Sequence, residues 1–497
     1  MMKYVGGIER ITVSDVVTDG ELGLIDSGEG IDYQALTSLP EADDELRHYV
    51  SMLQNVKIFE SEMAKLPEQG PPGIRRGTSR HMSRHQEKLL KWKVVRETRH
   101  VRAITNFFTV AKKNGTLRLV VDARKINNLM RRIPKMDLPT VQEVLMLLMG
   151  SKYYITVDGT SYFYQWHIAP EVGEFFCANL AGARGTFTTV ALTRMPMGWS
   201  WAPAIAQKGS NTLLLDRGTS LGVAWIDNFI FGGSSKDSTL EKFRRFRDRC
   251  DICRVKIDDR DPPVLERGEV LGLEVDLENK RFRMAASWVE KARALRITTY
   301  MTPRELYRIT GNCIWACTAR QTPLCIFSDQ IEVVRRIALL VAAGLAWDTP
   351  VRLTRDEVHA LGVWKARVEE NEWSSVTEKA PPVLEMWTDS SGHMWAFTDL
   401  GWRVGQGAFT EEQLNKWHIF VKEAYAVQRS MAVSRGIPRV YKVDNMPLVL
   451  AMKRQVSSNK MVNTWMSNWD WENISVEWVS THQQEADEYT RGKLFTF

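Results

Sequence analysis

Between Val223 and Phe231 the chain reads Val-Ala-Trp-Ile-Asp-Asn-Phe-Ile-Phe, an apolar β-type run with a carboxylate, Asp227, at its centre. A second run, Tyr153-Tyr154-Ile155-Thr156-Val157, closes on Asp158. Aspartate is depleted in strands. Left unpaired in apolar surroundings, it costs several kcal/mol or takes up a proton. Two such residues on neighbouring strands would repel each other unless a divalent cation sat between them. Hard oxygen ligands with an open face suit Mg²⁺, and Mg²⁺ held in this way serves phosphoryl transfer. The alternative for these two residues alone is strand-end or turn carboxylates facing solvent.

The chain has 497 residues, enough for two or three domains, and 44% are apolar and 25% charged, as in ordinary globular proteins. Its longest nearly unbroken apolar run, Ile337 to Trp347, has 11 residues, about half of a membrane span. With no apolar leader at the start, a soluble intracellular protein is expected. Six cysteines are too few for a disulfide framework at this length; Cys250 and Cys253 have CxxC spacing but no companion pair, and read as buried thiols rather than a zinc site.

The net charge of +6 is unevenly spread. Residues 1–60 hold 12 acids against 4 bases, whereas residues 61–135 hold 19 bases against 5 acids. Phosphate backbone is the natural counterion for the basic block, because each neutralised phosphate releases a condensed cation. The segment 75–135, opening with Arg75, Arg76, Arg80 and Arg84, is expected to carry much of any nucleic-acid affinity.

The first eighty or so residues show no sustained periodicity and read as an irregular extension leading to a basic helix near Gln86–Glu97. A hairpin follows, Phe107–Val110 and Leu117–Val121 about the turn Lys113-Asn114-Gly115. Short strands then alternate with helices: Tyr153–Val157, Phe187–Leu192, a helix near Ala202–Leu214, a strand Val223–Phe231, a charged helix near Leu240–Cys253, and a strand Glu269–Val275. Residues 287–345 read as mainly helical and 354–372 as one polar helix. Beyond Pro381-Pro382 comes a second α/β pattern, with strands at Leu384–Thr388, Met394–Phe397, Gly407–Phe409, Arg439–Val443 and Ser475–Val479 and a helix at Val421–Val433.

Lys112-Lys113-Asn114-Gly115 through Arg118, Asp122 and Asn127 resembles the fingers hairpin of reverse transcriptases. Asp158-Gly159-Thr160-Ser161-Tyr162-Phe163-Tyr164-Gln165 resembles their first palm motif, and Met195-Pro196-Met197-Gly198-Trp199-Ser200-Trp201-Ala202-Pro203 their "lPfGlxxAP" motif. Trp225-Ile226-Asp227-Asn228 stands in place of "YxDD", and Val270-Leu271-Gly272 resembles the primer-grip motif. The resemblance implies that Asp158 and Asp227 hold two Mg²⁺ ions, with Asn228 beside them in the catalytic set. It implies that Lys112 or Lys113 and Arg118 grip the nucleotide triphosphate. Phe163 would be the steric gate against a ribose 2′-hydroxyl, and Met197 and Gly198 would lie against the templating pair. The family's second aspartate is Asn228 here, nearly isosteric but neutral, so one of three negative charges is missing.

In the C-terminal part, Asp389 in Thr388-Asp389-Ser390-Ser391, Glu423 in Lys422-Glu423-Ala424, Asp444 in Asp444-Asn445 and Asp487 in Ala486-Asp487 resemble the four-carboxylate centre of RNase H domains. That resemblance implies two further Mg²⁺ ions, which would neutralise the four acids and generate the attacking hydroxide. His482 has a spacing unlike the retroviral catalytic histidine and is left unassigned.

The resemblance covers about residues 100–495, and the passage through "TPRELYRITGNCIWA" to "TDSS" and "HIFVKEAYAV" is most similar to the tyrosine-recombinase retroelements, the DIRS and VIPER-like group, with pararetroviruses second. The expected fold class is α+β, a right-hand polymerase followed by an RNase H-like domain. Its parts would be an N-terminal extension (1–85), fingers and palm (86–283), a thumb-like region (284–346), a connection (347–380) and the RNase H-like domain (381–497). The function implied is an RNA-directed DNA polymerase with ribonuclease H activity, using Mg²⁺ or Mn²⁺. Its partners would be an RNA template, a DNA primer, RNA–DNA hybrid and deoxynucleoside triphosphates, in the nucleus or a cytoplasmic retroelement particle and without a membrane. Protease, integrase and recombinase signatures are lacking, so a recombinase or capsid-like protein would be on other chains. The alternatives are a polymerase-dead scaffold for RNA or RNA–DNA, and a protein keeping only the nuclease.

Overall fold

A computed structural model describes residues 19–494 apart from 25, 27, 67–81, 83, 113, 114, 182–186 and 378. Packing separates two units, Met1–Thr140 with Gly150–Glu266, and Val141–Met149 with Arg267–Phe497. Arg75, Arg76, Arg80, Lys113 and Asn114 lie outside the described residues.

In the first unit, β1 is Val95–Glu97, and β2 (Asn106–Ala111) and β3 (Leu117–Asp122) form an antiparallel hairpin. β4 (Tyr153–Asp158) follows, and β5 (Cys177–Ala181) and β6 (Phe187–Leu192) join β1 in the order β1-β6-β5. A small hairpin of β7 (Leu215–Asp216) and β8 (Thr219–Ser220) precedes β9 (Val223–Trp225) and β10 (Asn228–Gly233). β10 runs between β4 and β9, antiparallel to both. Phe229 to Gly233 are all buried, and Phe229 and Phe231 pack on Phe243 and Phe246 of the helix Lys236–Ile252. Such double coverage is why this strand reads as unbroken apolar sequence rather than alternation.

Three expectations are corrected here. Residues 33–61 are not irregular: they form the helices Tyr33–Thr37, Asp44–Gln54 and Val56–Ser61, each started by an Asp or Asn side chain (Asp32, Asp43, Asn55) accepting a backbone N–H. Leu46, Tyr49, Val50, Met52, Leu53 and Phe59 are buried, and each such side chain contributes about 1.5–3 kcal/mol, which fixes the segment in the core. Its acids meet bases of the same unit: Asp43 with Lys208, Glu41 with Arg249, Glu60 with Arg102. The helix expected over Gln86–Glu97 stops at Lys91, and Lys93, at φ +51°, turns the chain into β1, which pairs with Val190–Leu192. The run Val223–Phe231 is two strands, because the Ile226-Asp227 turn lifts the carboxylate out of the ladder.

In the second unit, β11 (Arg267–Val270), β12 (Leu273–Asp276) and β13 (Arg281–Met284) make a meander. The strand expected over Glu269–Val275 is a tight hairpin, since Leu271 (φ +51°) and Gly272 (φ +80°) form a two-residue left-handed turn. The helices Ala286–Ala294, Pro303–Ala319, Ser328–Ala342 and Arg355–Glu369 follow, with β14 (Tyr300–Met301) paired to β15 (Val351–Arg352). Then come β16 (Leu384–Ser390), β17 (Met394–Thr398), β18 (Val404–Ala408), β19 (Arg439–Val443) and β20 (Ile474–Trp478). They form a mixed sheet in the order β18-β17-β16-β19-β20, with β16, β19 and β20 parallel. The carboxyl ends of β16 and β19 lie side by side, the place where α/β sheets collect functional groups. All six cysteines are buried free thiols, and burial pushes the Cys253 thiol up to about 11.

Candidate active sites

In the first unit, Asp158 ends β4 directly opposite Asn228, the first residue of β10. Asp227 is the second residue of the turn between β9 and β10, and the first is Ile226 at φ +62°. A β-branched residue in the left-handed region costs on the order of 1–2 kcal/mol and persists only where its surroundings impose it. The helix Ala202–Leu214 imposes it. Buried Gln207 accepts the Ile226 N–H through Oε1 (2.7 Å) and donates from Nε2 to the Ala224 carbonyl (2.9 Å), while the Ser210 hydroxyl donates to the Ile226 carbonyl.

Asp158 is fixed from the other side. Its N–H donates to Asp258 Oδ1 (2.9 Å) and its carbonyl accepts the Asp258 N–H (2.9 Å). Gln165 donates to the carbonyls of Thr160 (2.7 Å) and Lys256 (2.8 Å) and accepts the Lys256 N–H (2.7 Å), closing the loop that follows β4 onto residues 256–258. Burial pushes the Asp158 carboxyl up to about 6, and the charges of Asp227 and Asp258 push the same way. Asp227 is also raised by burial, against the pull of its own backbone hydrogen bond, Arg118 and Lys112. Asp158 and Asp227 thus come together with a third acid, Asp258, that sequence reasoning missed. Its signal was an aspartate closing the short run Val255-Lys256-Ile257, whose Ile257 bridges to Gly159.

Of the expected nucleotide-contacting residues, Arg118 is exposed on β3, and Lys112 Nζ donates to the Gly23 carbonyl (2.7 Å). Phe163 is buried in the short helix Tyr162–Gln165, and Met197 is half-buried against the core. Gly198, at φ +118°, has no room for a side chain, since a Cβ there would lie 2.1 Å from the Val121 carbonyl. Asn127 fastens this loop by donating to the Gly198 carbonyl (3.0 Å) and accepting the Ser200 N–H (2.8 Å).

In the second unit, Asp389 sits near the end of β16 and Glu423 on the helix Ile419–Ser434; both are buried. Asp444 follows the last residue of β19 and is held there because Asn445 caps the next helix, Met446–Arg454. Each of Asp389, Glu423 and Asp444 offers a ligand atom, and these atoms lie within 4.8 Å of one another. Glu423 Oε2 is buried without a hydrogen-bond partner. Burial and the neighbouring acids raise Glu423, and Asp389 is pushed up to about 6 by burial, with Asp444 and Asp487 adding to the effect against a Thr490 hydrogen bond. Asp487 opens the short helix Asp487–Thr490 and bonds to Arg491 (2.9 Å). It lies outside the three-acid group yet close enough to act on Asp389 electrostatically. His482 is exposed. Gln484, which the sequence did not single out, is buried and donates to the carbonyls of Thr388 (3.0 Å) and Lys442 (3.2 Å), tying the ends of β16 and β19 together. Among the described residues, no helix is long and apolar enough to cross a membrane.

No family model matches the chain. Over 153 residues it is 30% identical to the Transposon Tf2-7 polyprotein of Schizosaccharomyces pombe and 29% identical to the Tf2-3 polyprotein, matching 31% of this chain. The match spans only 11% of those relatives. Among solved structures, the foamy viral protease-reverse transcriptase in complex with RNA/DNA hybrid aligns with 90% of this chain and 62% of its own, at a TM-score of 0.51 and 15% identity. The foamy viral protease-reverse transcriptase dRH in complex with double-stranded DNA aligns with 90% of this chain and 81% of its own, at a TM-score of 0.50 and 16% identity. The fold is therefore the α+β fold of reverse transcriptase–RNase H proteins, in a chain with transposon-polyprotein homology.

Proposed function

We propose that this chain is an RNA-directed DNA polymerase that also cleaves the RNA strand of RNA–DNA hybrids, working within a retroelement. The observation that carries the reading is the pair of carboxylate centres, one on each unit, where burial pushes Asp158 and Asp389 up to about 6 and the repulsion of neighbouring acids adds to it. Mutual repulsion of this kind is relieved by a divalent cation, and oxygen-only donors suit Mg²⁺. The unpartnered Glu423 Oε2 beside Asp389 and Asp444 fits such an ion, as do Asp158 and Asp227. Mg²⁺ would supply charge stabilisation at the reacting phosphate and an activated oxygen nucleophile.

On this reading Asp158 and Asp227 hold the polymerase metals, and Asn228 lines the centre without charge. Arg118 and the Lys112–Lys113 pair take the triphosphate, Phe163 excludes a 2′-hydroxyl, and Met197 and Gly198 lie against the templating pair. Asp389, Glu423, Asp444 and Asp487 form the nuclease centre. The division into fingers and palm (86–283), thumb (284–346), connection (347–380) and RNase H-like domain (381–497) belongs to the same proposal. So do template–primer, hybrid and deoxynucleotides as partners, an intracellular site of action, and a place in the DIRS and VIPER-like group. Support comes from the transposon polyproteins and from the foamy viral structures, which hold DNA or RNA/DNA hybrid.

Asn228 favours a second reading, a polymerase-dead binder of RNA–DNA or a nuclease alone. Primer extension by the purified chain on an RNA template with Mg²⁺, beside cleavage of a labelled RNA strand annealed to DNA, separates the readings. The proposal expects both activities, with extension lost in Asp158→Ala and cleavage lost in Asp444→Asn. A parent chain that binds hybrid but neither extends nor cuts is a scaffold.

A further inference from the structure

The short helix Asp487–Thr490 carries the fourth acid at its start and a hydroxyl at its end. Thr490 is 4% exposed, and its Oγ1 lies 2.7 Å from Asp389 Oδ2 and 2.9 Å from the carbonyl of Asp487. A threonine hydroxyl has one proton, so it serves one of these acceptors at a time. The ionised carboxylate is the stronger acceptor, because charge-assisted hydrogen bonds are roughly twice as strong as neutral ones. A bond to the Asp487 carbonyl alone would be an ordinary intrahelical contact. The bond to Asp389 crosses 101 residues of sequence and ends on an acid of the three-carboxylate group.

We propose that Thr490 is a positioning residue of the nuclease centre, its hydroxyl holding one oxygen of Asp389 so that the other faces Glu423 and Asp444, and docking the helix of Asp487 against them. This rests on the nuclease reading above. The geometry supports it in two ways. Among the described residues Thr490 is the one side chain that donates a hydrogen bond to the Asp389 carboxylate, which otherwise takes only a backbone hydrogen bond at Ser390, so losing the hydroxyl removes one of its two anchors. Asp487 itself bonds to Arg491 and lies outside the three-acid group, and the helix that bears it is tied to the far edge of the sheet by Gln406 of β18, which donates to the Tyr489 carbonyl (3.2 Å), so a further tie is needed on the side of the acids. Thr490 provides one at the end of β16.

The test compares Thr490→Val, which keeps the shape and loses the hydroxyl, with Thr490→Ser, which keeps the hydroxyl, in the full-length chain. Two readouts are taken: Mn²⁺ affinity by water-proton relaxation, in an Asp158→Asn, Asp227→Asn background that silences the other centre, and hybrid cleavage against Mg²⁺ concentration. Groups that orient metal ligands typically contribute about ten- to a hundredfold in affinity or activity. Thr490→Val is expected to weaken Mn²⁺ binding by about that factor and to lower kcat at limiting Mg²⁺, with KM for hybrid unchanged. Thr490→Ser is expected within about threefold of the parent. Parent-like Mn²⁺ affinity in Thr490→Val overturns the proposal, and so does a Ser variant as impaired as the Val one. A parent that binds Mn²⁺ but leaves hybrids uncut removes the nuclease reading alone, and the Mn²⁺ comparison still decides on Thr490; a parent that binds no Mn²⁺ removes both.

Discussion

Asn228 stands directly opposite Asp158 across the β4–β10 ladder, and its side-chain oxygen accepts the hydroxyl proton of Thr156 at 3.0 Å. Thr156 and Asp158 are two residues apart on one strand and share a face, so the amide leans along β4 beside the carboxylate. It brings a polar group to the centre without adding to the negative charge of Asp158, Asp227 and Asp258. Removing Asp158 or Asp227 should abolish Mg²⁺-dependent DNA synthesis, a loss of at least several orders of magnitude, because charge stabilisation and positioning supply most of phosphoryl-transfer catalysis. Asn228→Ala should be milder, at about ten- to a hundredfold in kcat. Asn228→Asp keeps the acceptor for Thr156 and should hold or raise activity. Steady-state primer extension of the four variants checks this, and equal losses at all three positions would refute the ranking.

The turn that carries Asp227 depends on Gln207. Gln207→Met would preserve the bulk while leaving the Ile226 N–H and the Ala224 carbonyl without their side-chain partner. An unsatisfied buried polar group costs about 1–3 kcal/mol, enough to let Ile226 relax from φ +62° and carry Asp227 with it. DNA synthesis should fall by about tenfold or more in kcat, with cleavage of hybrid by the other unit unchanged. A parent-like kcat would mean that the helix Ala202–Leu214 holds the turn by packing alone.

Asp158 and Asp227 stood out in the sequence as carboxylates closing or interrupting apolar strands, a local contradiction that a cation or a proton resolves, whereas Asp389, Glu423, Asp444 and Asp487 came forward only through a family resemblance, two of them lying on helices. Asp258 was missed, because its run makes a single bridge rather than a ladder and is too short for its alternation to stand out. The left-handed Ile226 could not be read either, since isoleucine is a strand former and the energy that overrides it comes from Gln207 and Ser210, some 16 to 19 residues earlier. The helices of residues 33–61 escaped for a different reason. They are 5, 11 and 6 residues long, too short for a 3.6-residue period to stand out, and are stabilised by burial against the rest of the unit.

The raised carboxyls make a prediction about pH in metal-free protein. A carboxyl at about 6 in the folded chain and near 4 when unfolded binds more protons in the folded state between those values, so it lowers stability as pH rises through that window. Asp389→Asn removes the charge. The variant should therefore be more stable than the parent at pH 7, by about 2–3 kcal/mol, and equal to it near pH 4. Adding Mg²⁺ at pH 7 should stabilise the parent and not the variant. Denaturant unfolding with chelator at pH 4, 5, 6 and 7 measures the difference, and a gap that widens toward low pH would have the wrong sign.

The last prediction concerns a buried ion pair at the opposite end of β19 from Asp444. Arg439, the first residue of β19, is fully buried, and its guanidinium grips Asp470 through Nη2 to Oδ1 (2.6 Å) and Nη1 to Oδ2 (3.1 Å). The Ile437 carbonyl (2.8 Å), the Tyr441 hydroxyl (3.1 Å) and the Met431 sulfur (2.8 Å) accept its remaining protons, and Asp470 Oδ2 accepts the Gly436 N–H (2.7 Å). Breaking such a pair on one side leaves an uncompensated buried charge and costs about 3–5 kcal/mol, whereas replacing both partners by apolar groups of similar volume is often neutral. Asp470→Ala should accordingly lower the unfolding free energy by about 3–5 kcal/mol, and Arg439→Met with Asp470→Leu should recover most of it. Denaturant unfolding followed by circular dichroism checks both. The double variant should also cut hybrid at the parent's rate, because neither side chain touches Asp389, Glu423 or Asp444. If the single substitution costs under about 1 kcal/mol, the pair behaves as a surface bridge and the burial of Arg439 has another source of compensation.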